Sequence, residues 1–354
     1  MVTCKIDGTS DFETHEDYLV YRLPSIYNLP RTKLFLNFEQ FYLMFGKKAK
    51  RRMIEIFKEN KIEIIHQCGQ LLDSLLLTRS VAKHLELPSV CSIHTKIYNP
   101  YNRLFDIALK GCEKFVVRKI LKNFDLILSL DKEISKYVTE VYAPDNETII
   151  PVCVDGSVLE YPSAKPETGG NFLKIASVGH VTEMRNRLEL LEALKMIKSK
   201  GYKFSLTIVG KLLSKETERK IKELELEKEV EIAGELEREK LYEVLRKSNV
   251  EAHWLNMPGI GSASMEAMAM GLPVLCYAYE DIYGDTVPLT HWKNILLVNP
   301  GSPDSIAEVL KKLADSPELR SEIGKNARNL VKRYLNWEII SDRIFSLYEQ
   351  VLEN

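Results

Sequence analysis

Several features that would place this chain in other classes of protein are missing. The six cysteines are scattered without a C-x-x-C pair, so we expect buried free thiols in a reducing compartment. No apolar run approaches the ~20 residues of a membrane-spanning helix, and no signal peptide is visible at Met1. The formal net charge of −1 gives no general attraction to nucleic acid. We therefore predict a cytoplasmic protein with no nucleic-acid partner.

What the sequence contains is the pattern of a two-domain α/β protein. Its 354 residues are long for one core, and its 45% hydrophobic and 28% charged residues are ordinary for a globular chain. Apolar runs alternate with helical patterns, which indicates parallel sheets covered by helices. We predict a first domain over 1–161 and a second over 171–337, joined by a linker rich in proline and glycine. Predicted strands in the first domain are 18–23, 62–66, 89–94, 125–130 and 148–152, with a further strand over 2–6.

The segment 259–273 is the most informative about function. It follows a predicted strand over 250–255 and contains a Gly-rich turn, a short apolar helix from about Ser264, and Gly271 and Pro273, which end the helix. Strand, turn and helix together present free backbone N–H groups at the positive end of a helix, where a phosphate binds.

The residues of this turn give a specific hypothesis. The predicted phosphate contacts are Gly261, Ser262, Ala263 and Ser264. Glu266, one turn into the helix, is placed to accept from a ribose hydroxyl. The alternative is a tight turn into a packed helix with Glu266 solvated, and the segment alone supports both equally.

The same residues resemble a known family. Glu-Ala-Met-Ala-Met-Gly-Leu-Pro-Val at 266–274 is similar to the signature of the group 1 (family 4) glycosyltransferases, and other matches follow in the family's order. These are Ser-Val-Gly-His at 177–180 with Arg185, Leu-Thr-Ile-Val-Gly at 206–210, the segment 294–301, and Asn-Trp-Glu at 336–338. The resemblance extends from about residue 60 to the C-terminus.

The resemblance implies a fold and an activity. The fold is GT-B, in which two Rossmann-like domains face each other across a cleft and a C-terminal helix, here 338–354, packs back on the first domain. The activity is transfer of a sugar from a nucleotide diphosphate sugar to a lipid-linked, glycan or small-molecule acceptor, with retention of configuration. No cofactor is implied beyond the donor substrate itself.

The resemblance also suggests roles for basic residues. A departing diphosphate needs its charge neutralised, and because the chain has no Asp-x-Asp motif we expect basic side chains and helix N-termini, with no metal, to do this. Arg185 follows the Gly179 turn where the family places a lysine, and His180 occupies the family's arginine position. His94, at the end of a predicted strand, matches a family histidine beside the reacting sugar; its alternative is a satisfied core group.

Two departures keep a second interpretation open. Pro258 stands where the family has a glutamate that contacts the donor sugar, and the family's first strand, Gly-rich turn and helix have no counterpart before the strand over 2–6. A non-catalytic relative that binds a nucleotide or a partner protein is therefore the alternative function. We also expect the functional protein to carry an upstream segment that supplies the missing elements, or else to lack that turn.

A basic cluster follows the aromatic-rich segment 35–45. It consists of Lys47, Lys48, Lys50, Arg51 and Arg52. A solvated helix face is the usual meaning of such a cluster. Its functional alternative is peripheral contact with anionic lipid headgroups, which would suit a lipid-linked acceptor.

Overall fold

The chain forms two compact units. The computed structural model describes residues 1–5, 8–24, 27–30, 40–43, 46–99, 102–163, 172–182, 185, 187–252, 258–299 and 301–353. One unit comprises Met1–Ile150 together with Ile344–Asn354, and the other comprises Pro151–Arg343.

The first unit begins with two small sheets. Strands β1 (Val2–Cys4), β2 (Phe12–Thr14) and β3 (Leu19–Leu23) form a sheet of order β1-β3-β2, in which β1 runs parallel to β3 and β2 antiparallel to it. Strands β4 (Tyr27–Pro30) and β5 (Gln40–Leu43) form an antiparallel pair. Among the described residues between the two strands predicted at the chain start there is a short strand, β2, and no helix.

A four-stranded parallel sheet is the centre of this unit. After helix α1 (Gly46–Glu59), strand β6 (Ile65–Cys68), α2 (Leu72–Leu85) and β7 (Ser89–Ile93) alternate, followed by α3 (Arg103–Cys112), a π-helical segment (Glu113–Val117) and α4 (Arg118–Leu121). Strand β8 (Leu126–Ser129), α5 (Lys132–Val141) and β9 (Glu147–Ile149) complete the order β6-β7-β8-β9. All neighbouring strands are parallel, so their carboxyl ends share one edge.

The second unit contains a six-stranded parallel sheet of order β12-β11-β10-β13-β14-β15. Its strands are β10 (Phe172–Val178), β11 (Lys203–Val209), β12 (Val230–Gly234), β13 (Val250–Ala252), β14 (Val274–Cys276) and β15 (Leu296–Leu297). Its helices are α6 (Leu188–Ser199), α7 (Glu216–Glu223), α8 (Arg238–Lys247), α9 (Ser262–Ala269), α10 (Pro303–Asp315) and α11 (Pro317–Tyr334). The strand predicted over 250–255 is described as far as Ala252, and 253–257 lie outside the described residues.

Residues 151–161, which the sequence assigned to the first domain, group with the second unit. Val154 bridges to Asn336, and Val158 is fully buried in the core of that unit. Arg328 on α11 donates to the carbonyl of Leu159 at 2.6 Å. Most of the predicted linker, 164–170, lies outside the described residues.

The last helix, α12 (Trp337–Glu353), begins in the second unit, and its residues from Ile344 onward belong to the first. Its final part packs Leu347, Tyr348 and Val351 against Val90, Leu126 and Leu128 of the first unit's sheet. The apolar stripe of α12 therefore covers strands β7 and β8.

Candidate functional site

The turn after β10 is the first half of the candidate site. Gly179 has φ +130°, and its N–H donates to the carbonyl of Val209 at 2.8 Å. The neighbouring Gly210, at the end of β11, has φ +139°, and a Cβ there would lie 2.5 Å from the carbonyl oxygen of Gly179. Glycine at both positions lets two strand ends approach each other closely.

The side chain of Arg187 is hydrogen-bonded to this turn. Its side chain is buried, and its backbone is left-handed with φ 61°. Its guanidinium donates to the Ser177 hydroxyl at 2.8 Å, to the carbonyl of Arg185 at 2.7 Å and to that of Gly179 at 2.8 Å. Burial lowers the pKa of Arg187 to about 10, which leaves it charged at neutral pH.

Arg185 lies at the same turn. A Cβ built on Gly179 would be 3.4 Å from Arg185 Nη1, so the guanidinium borders the turn directly. The side chain is half-buried, and this burial lowers its pKa from 12.5. The structure thus places a partly desolvated cation beside backbone groups that suit an anion.

His180 is exposed, and its Nδ1 accepts a hydrogen bond from the backbone N–H of Lys211 at 3.0 Å. Because Nδ1 is an acceptor, the neutral ring carries its proton on Nε2. His180 therefore presents an N–H donor beside the turn.

The N-terminus of α9 is the second half of the site. Gly261 is its N-cap and no side chain caps it, and the first helical bond runs from Met265 N–H to the Gly261 carbonyl at 3.1 Å. Within the described residues, the amides of Ser262, Ala263 and Ser264 have no recorded acceptor, so they suit an anion.

A buried carboxyl joins the two halves. Glu251, on β13, is fully buried; its Oε2 accepts from Ser264 Oγ at 2.9 Å, and its Oε1 accepts from Val178 N–H at 3.4 Å. Burial raises the pKa of Glu251 to about 8, while the bonds from Ser264 and Val178 and the charge of Arg187 act in the opposite direction. One side chain therefore contacts both the strand leading into the Gly179 turn and the first turn of α9.

Glu266 lies one turn into α9 and is half-buried. Burial raises its pKa, Arg238 on α8 opposes this, and Asp155 adds to it. Arg238 Nε donates to the Tyr242 hydroxyl at 2.8 Å and its guanidinium lies 3.7 Å from Asp155. These charged groups surround the carboxyl that the sequence assigned to a ribose.

Pro258, which precedes this site in the sequence, has no polar group in its side chain. The next residue, Gly259, donates its N–H to the carbonyl of Tyr277 at 2.9 Å. Within the described residues, Glu251 contacts α9 through Ser264, and Glu266 lies on α9 itself. Position 258, where the resembling family has its first glutamate, is proline.

The predicted residue of the other domain, His94, lies in the first unit. It follows β7 directly, and its side chain reaches the surface. Neighbouring protein atoms partly desolvate the ring and so lower its pKa. His66, on β6, has both ring nitrogens bonded, one to the Tyr348 hydroxyl on α12 and one to Ser92 Oγ at 2.6 Å. Burial lowers the pKa of His66 to about 4, so this ring is neutral at physiological pH.

The predicted basic cluster lies on α1. Lys47, Lys48, Arg51 and Arg52 are exposed, and the helix buries Ala49, Met53, Ile56 and Phe57 against the core. Arg52 pairs with Glu55 at 3.2 Å. The exposed face of α1 is thus charged, with its apolar side chains facing inward.

Sequence reasoning missed Glu251 and Arg187. The signal for Glu251 was a carboxylate inside an otherwise apolar strand, which is costly unless it has partners. Arg187 directly precedes α6 and carries no such signal in the sequence.

Comparison with known proteins gives a family match over most of the second unit. Residues 163–330 match the model of the family described as glycosyl transferases group 1. This part of the chain is therefore similar to that family. No described helix is both long and apolar enough to cross a membrane.

Two curated relatives are similar over different shares of the chain. An uncharacterized glycosyltransferase of Methanocaldococcus jannaschii is 22% identical over 348 residues, which cover 96% of this chain and 86% of that protein. The capsular polysaccharide biosynthesis glycosyltransferase CapM of Staphylococcus aureus is 28% identical over 186 residues, covering 52% of this chain and 47% of CapM.

Solved structures confirm the predicted fold class. Sucrose-phosphate synthase from Thermosynechococcus elongatus superposes with a TM-score of 0.71 at 21% identity, covering all of this chain and 88% of that one. Anabaena HepE, solved in complex with UDP, gives a TM-score of 0.69 at 16% identity, with 85% and 82% covered. The chain thus has the α/β GT-B fold of two Rossmann-like domains.

Proposed function

We propose that this protein transfers a sugar from a nucleotide diphosphate sugar to an acceptor, with retention of configuration. The observation that supports this best is the arrangement around Glu251. The Gly179 turn, bordered by Arg185, and the uncapped start of α9 are joined through this one carboxyl. Both elements suit phosphate, and they are held next to each other.

In this proposal the diphosphate binds between these two elements. Arg185 supplies full positive charge, His180 Nε2 donates a hydrogen bond, and the amides of 262–264 add the positive end of α9. These groups stabilise the charge that develops on the departing phosphate as its bond to the sugar breaks. Partial burial of Arg185 strengthens its share of that stabilisation relative to water.

Glu266 is the proposed ribose ligand. A carboxylate accepts two hydrogen bonds from vicinal hydroxyls, and this one lies one turn beyond the proposed phosphate contacts. Arg238 nearby favours the ionised form, which is the form that accepts both bonds.

The proposed chemistry takes place on one face of the sugar. The bond from the anomeric carbon to the diphosphate oxygen breaks, and the acceptor oxygen forms its bond to the same face. The acceptor proton passes to a phosphate oxygen of the leaving group, so no separate protein base is needed. His94, on the acceptor-side domain, is the proposed contact to the reacting sugar.

The acceptor class is proposed from the relatives' names. CapM acts in capsular polysaccharide biosynthesis, and a Corynebacterium glutamicum relative, 24% identical over 182 residues, is a GDP-mannose-dependent phosphatidylinositol monomannoside mannosyltransferase. A glycan or lipid-linked acceptor fits both, and transfer of a hexose fits the second. Electrostatic contact of the basic face of α1 with an anionic membrane is part of this proposal.

The deciding experiment is calorimetry with UDP-, GDP- and ADP-sugars. We expect at least one to bind, and Arg185→Ala to weaken that binding by about tenfold or more because a partly buried charge partner is lost. Arg219→Ala is the matched control, since Arg219 is an exposed arginine on α7 of the same unit. Absence of binding by all three sugar nucleotides would overturn the proposal.

A second function is favoured by Pro258. A protein with proline instead of glutamate at position 258 lacks a carboxylate for the donor sugar, and this alone would explain nucleotide binding without sugar transfer. Pro258→Glu separates the two: a gain of turnover indicates a site that has lost activity, whereas loss of existing turnover shows that proline belongs to a working site.

A further inference from the structure

The helical segment that follows His94 has an unusual surface. Helix α3 has no buried residue along its ten positions, although in the sequence it connects β7 and β8, two neighbouring strands of the parallel sheet. Four large apolar side chains of α3 and the π-helical segment are exposed: Leu104 at 80%, Ile107 at 57%, Phe115 at 65% and Val116 at 42%.

Helical spacing places most of these side chains in one stripe. Leu104, Ile107, Gly111 and Phe115 follow one another at intervals of three and four, which is one face of a helix. The helix start is fixed by Asn102, whose side chain accepts from Phe105 N–H at 3.0 Å. At the other end, Val117 and Leu121 are buried, so the stripe is the outer face of an anchored element.

The charge around this stripe is strongly positive. Residues 103–122 contain six basic residues and two acidic ones. Of the acidic pair, Asp106 is bonded to Lys110 at 2.6 Å, and Glu113 is buried and accepts from the hydroxyls of Tyr137 and Tyr142. The basic residues are Arg103, Lys110, Lys114, Arg118, Lys119 and Lys122.

Arg103, Lys110 and Lys114 follow one another at intervals of seven and four, which places them along one flank of the apolar stripe. Lys114 and Lys119 are exposed, so they present charge beside Phe115. The surface combines an apolar face with a basic border and no uncompensated acidic side chain among its described residues.

We propose that this surface, the α3–α4 face, binds the interface of a bilayer that contains anionic lipids. An amphipathic helix with Leu and Phe on one face and Lys and Arg beside them lies in the plane of such an interface, with its apolar face at the headgroup–acyl boundary. A protein partner would need its own apolar groove framed by acids, whereas an anionic bilayer supplies both chemistries everywhere on its surface. Helix α3 begins nine residues after His94 in the sequence, so binding here brings the acceptor-side residue of the proposed function near the membrane.

This surface differs from the basic face of α1. Helix α1 exposes charge without large apolar side chains, so it attracts headgroups but has nothing to insert. The α3–α4 face adds the apolar area that makes binding persist when salt screens the charges.

The test is sedimentation of the full chain with vesicles. We expect binding to vesicles of phosphatidylcholine with about one-third phosphatidylglycerol, and about tenfold weaker binding to pure phosphatidylcholine. The variant Leu104→Ser/Phe115→Ser should lower affinity for the anionic vesicles by about tenfold or more, because the inserted apolar area is lost. Lys114→Glu/Lys119→Glu should have a similar effect that is largest at low salt.

Two controls separate this surface from the rest of the chain. Phe172→Ser removes a similarly exposed phenylalanine, 42% accessible, in the second unit, and should leave vesicle binding unchanged. Sugar-nucleotide binding by calorimetry should be the same in every variant, so failure of this proposal and failure of the proposed function give different results.

Three outcomes overturn the proposal. They are absence of sedimentation with anionic vesicles, equal binding by the wild type and both double variants, and a concentration-dependent dimer that the double variants abolish while vesicles are not bound. The last outcome would assign the face to a second copy of the chain.

Discussion

Replacing Glu251 by glutamine should remove the pH dependence that this residue imposes on folding. The carboxyl has an ordinary pKa of 4.5 in the unfolded chain and about 8 in the folded protein. Its folded pKa is raised, so folding is most favoured below pH 4.5, where both states are protonated, and stability is lost as pH rises toward 8.

The magnitude follows from the difference between the two values. Each pH unit between them costs about 1.4 kcal/mol of unfolding free energy, so the loss is about 3 kcal/mol at pH 7 and about 5 kcal/mol at pH 8. Glutamine has no proton to lose, but it has one acceptor oxygen where Glu251 accepts from both Ser264 and Val178. Loss of one such bond costs about 1 kcal/mol.

Glu251→Gln should therefore be less stable than the wild type at pH 4.5 by about 1 kcal/mol and more stable at pH 7 by about 2 kcal/mol. Urea unfolding followed by circular dichroism at several pH values measures this directly. Glu231→Gln, an exposed glutamate on β12 of the same sheet, is the control and should leave the pH profile unchanged. Parallel profiles for the wild type and Glu251→Gln would refute the reasoning, since they would show that Glu251 binds no extra proton in the folded state.

Other substitutions test the packing around the site. Gly210→Ala should lower the free energy of unfolding by about 2–4 kcal/mol and weaken sugar-nucleotide binding, because its Cβ would lie 2.5 Å from the Gly179 carbonyl oxygen. The control Gly234→Ala, with φ +72° and no neighbour within 4 Å, should lower it by only about 1 kcal/mol. Urea midpoints measure the stabilities and calorimetry measures the binding. Leu310→Ala on α10, where the side chain is fully buried, should cost about 2–5 kcal/mol in the same unfolding assay. Ser302→Ala should cost about 1 kcal/mol, since its hydroxyl caps α10, and an unchanged midpoint would count against that cap.

Local signals made much of the fold predictable. Ser302 and Ser316, each followed by proline and an acidic residue, mark the starts of α10 and α11, and both serines cap the helices in the structure. Helix α9 begins at Ser262, two residues before its predicted start at about Ser264. Capping and periodicity act over a few residues, so they can be recognised without knowledge of the tertiary structure.

The network around Glu251 could not be predicted in this way. Its bond to Ser264 joins residues 13 apart in sequence, and its bond from Val178 joins residues 73 apart. The left-handed backbone of Arg187 is set by three hydrogen bonds to the Gly179 turn, and no propensity of arginine favours that conformation. Such contacts depend on which strands become neighbours, here β10 and β13.

The same network explains why a carboxyl is tolerated beneath a candidate anion site. An ionised Glu251 would repel a diphosphate at the Gly179 turn, and burial disfavours that form by raising its pKa to about 8. Below that pH the neutral acid still accepts from Ser264 and Val178, so it can connect α9 to β10 without adding negative charge. Arg187, which bonds the turn from the other side, keeps its positive charge. At neutral pH the turn therefore has the charge of Arg187 beside it and a largely neutral Glu251, and the polar groups that shape both candidate phosphate-binding elements are already hydrogen-bonded to one another.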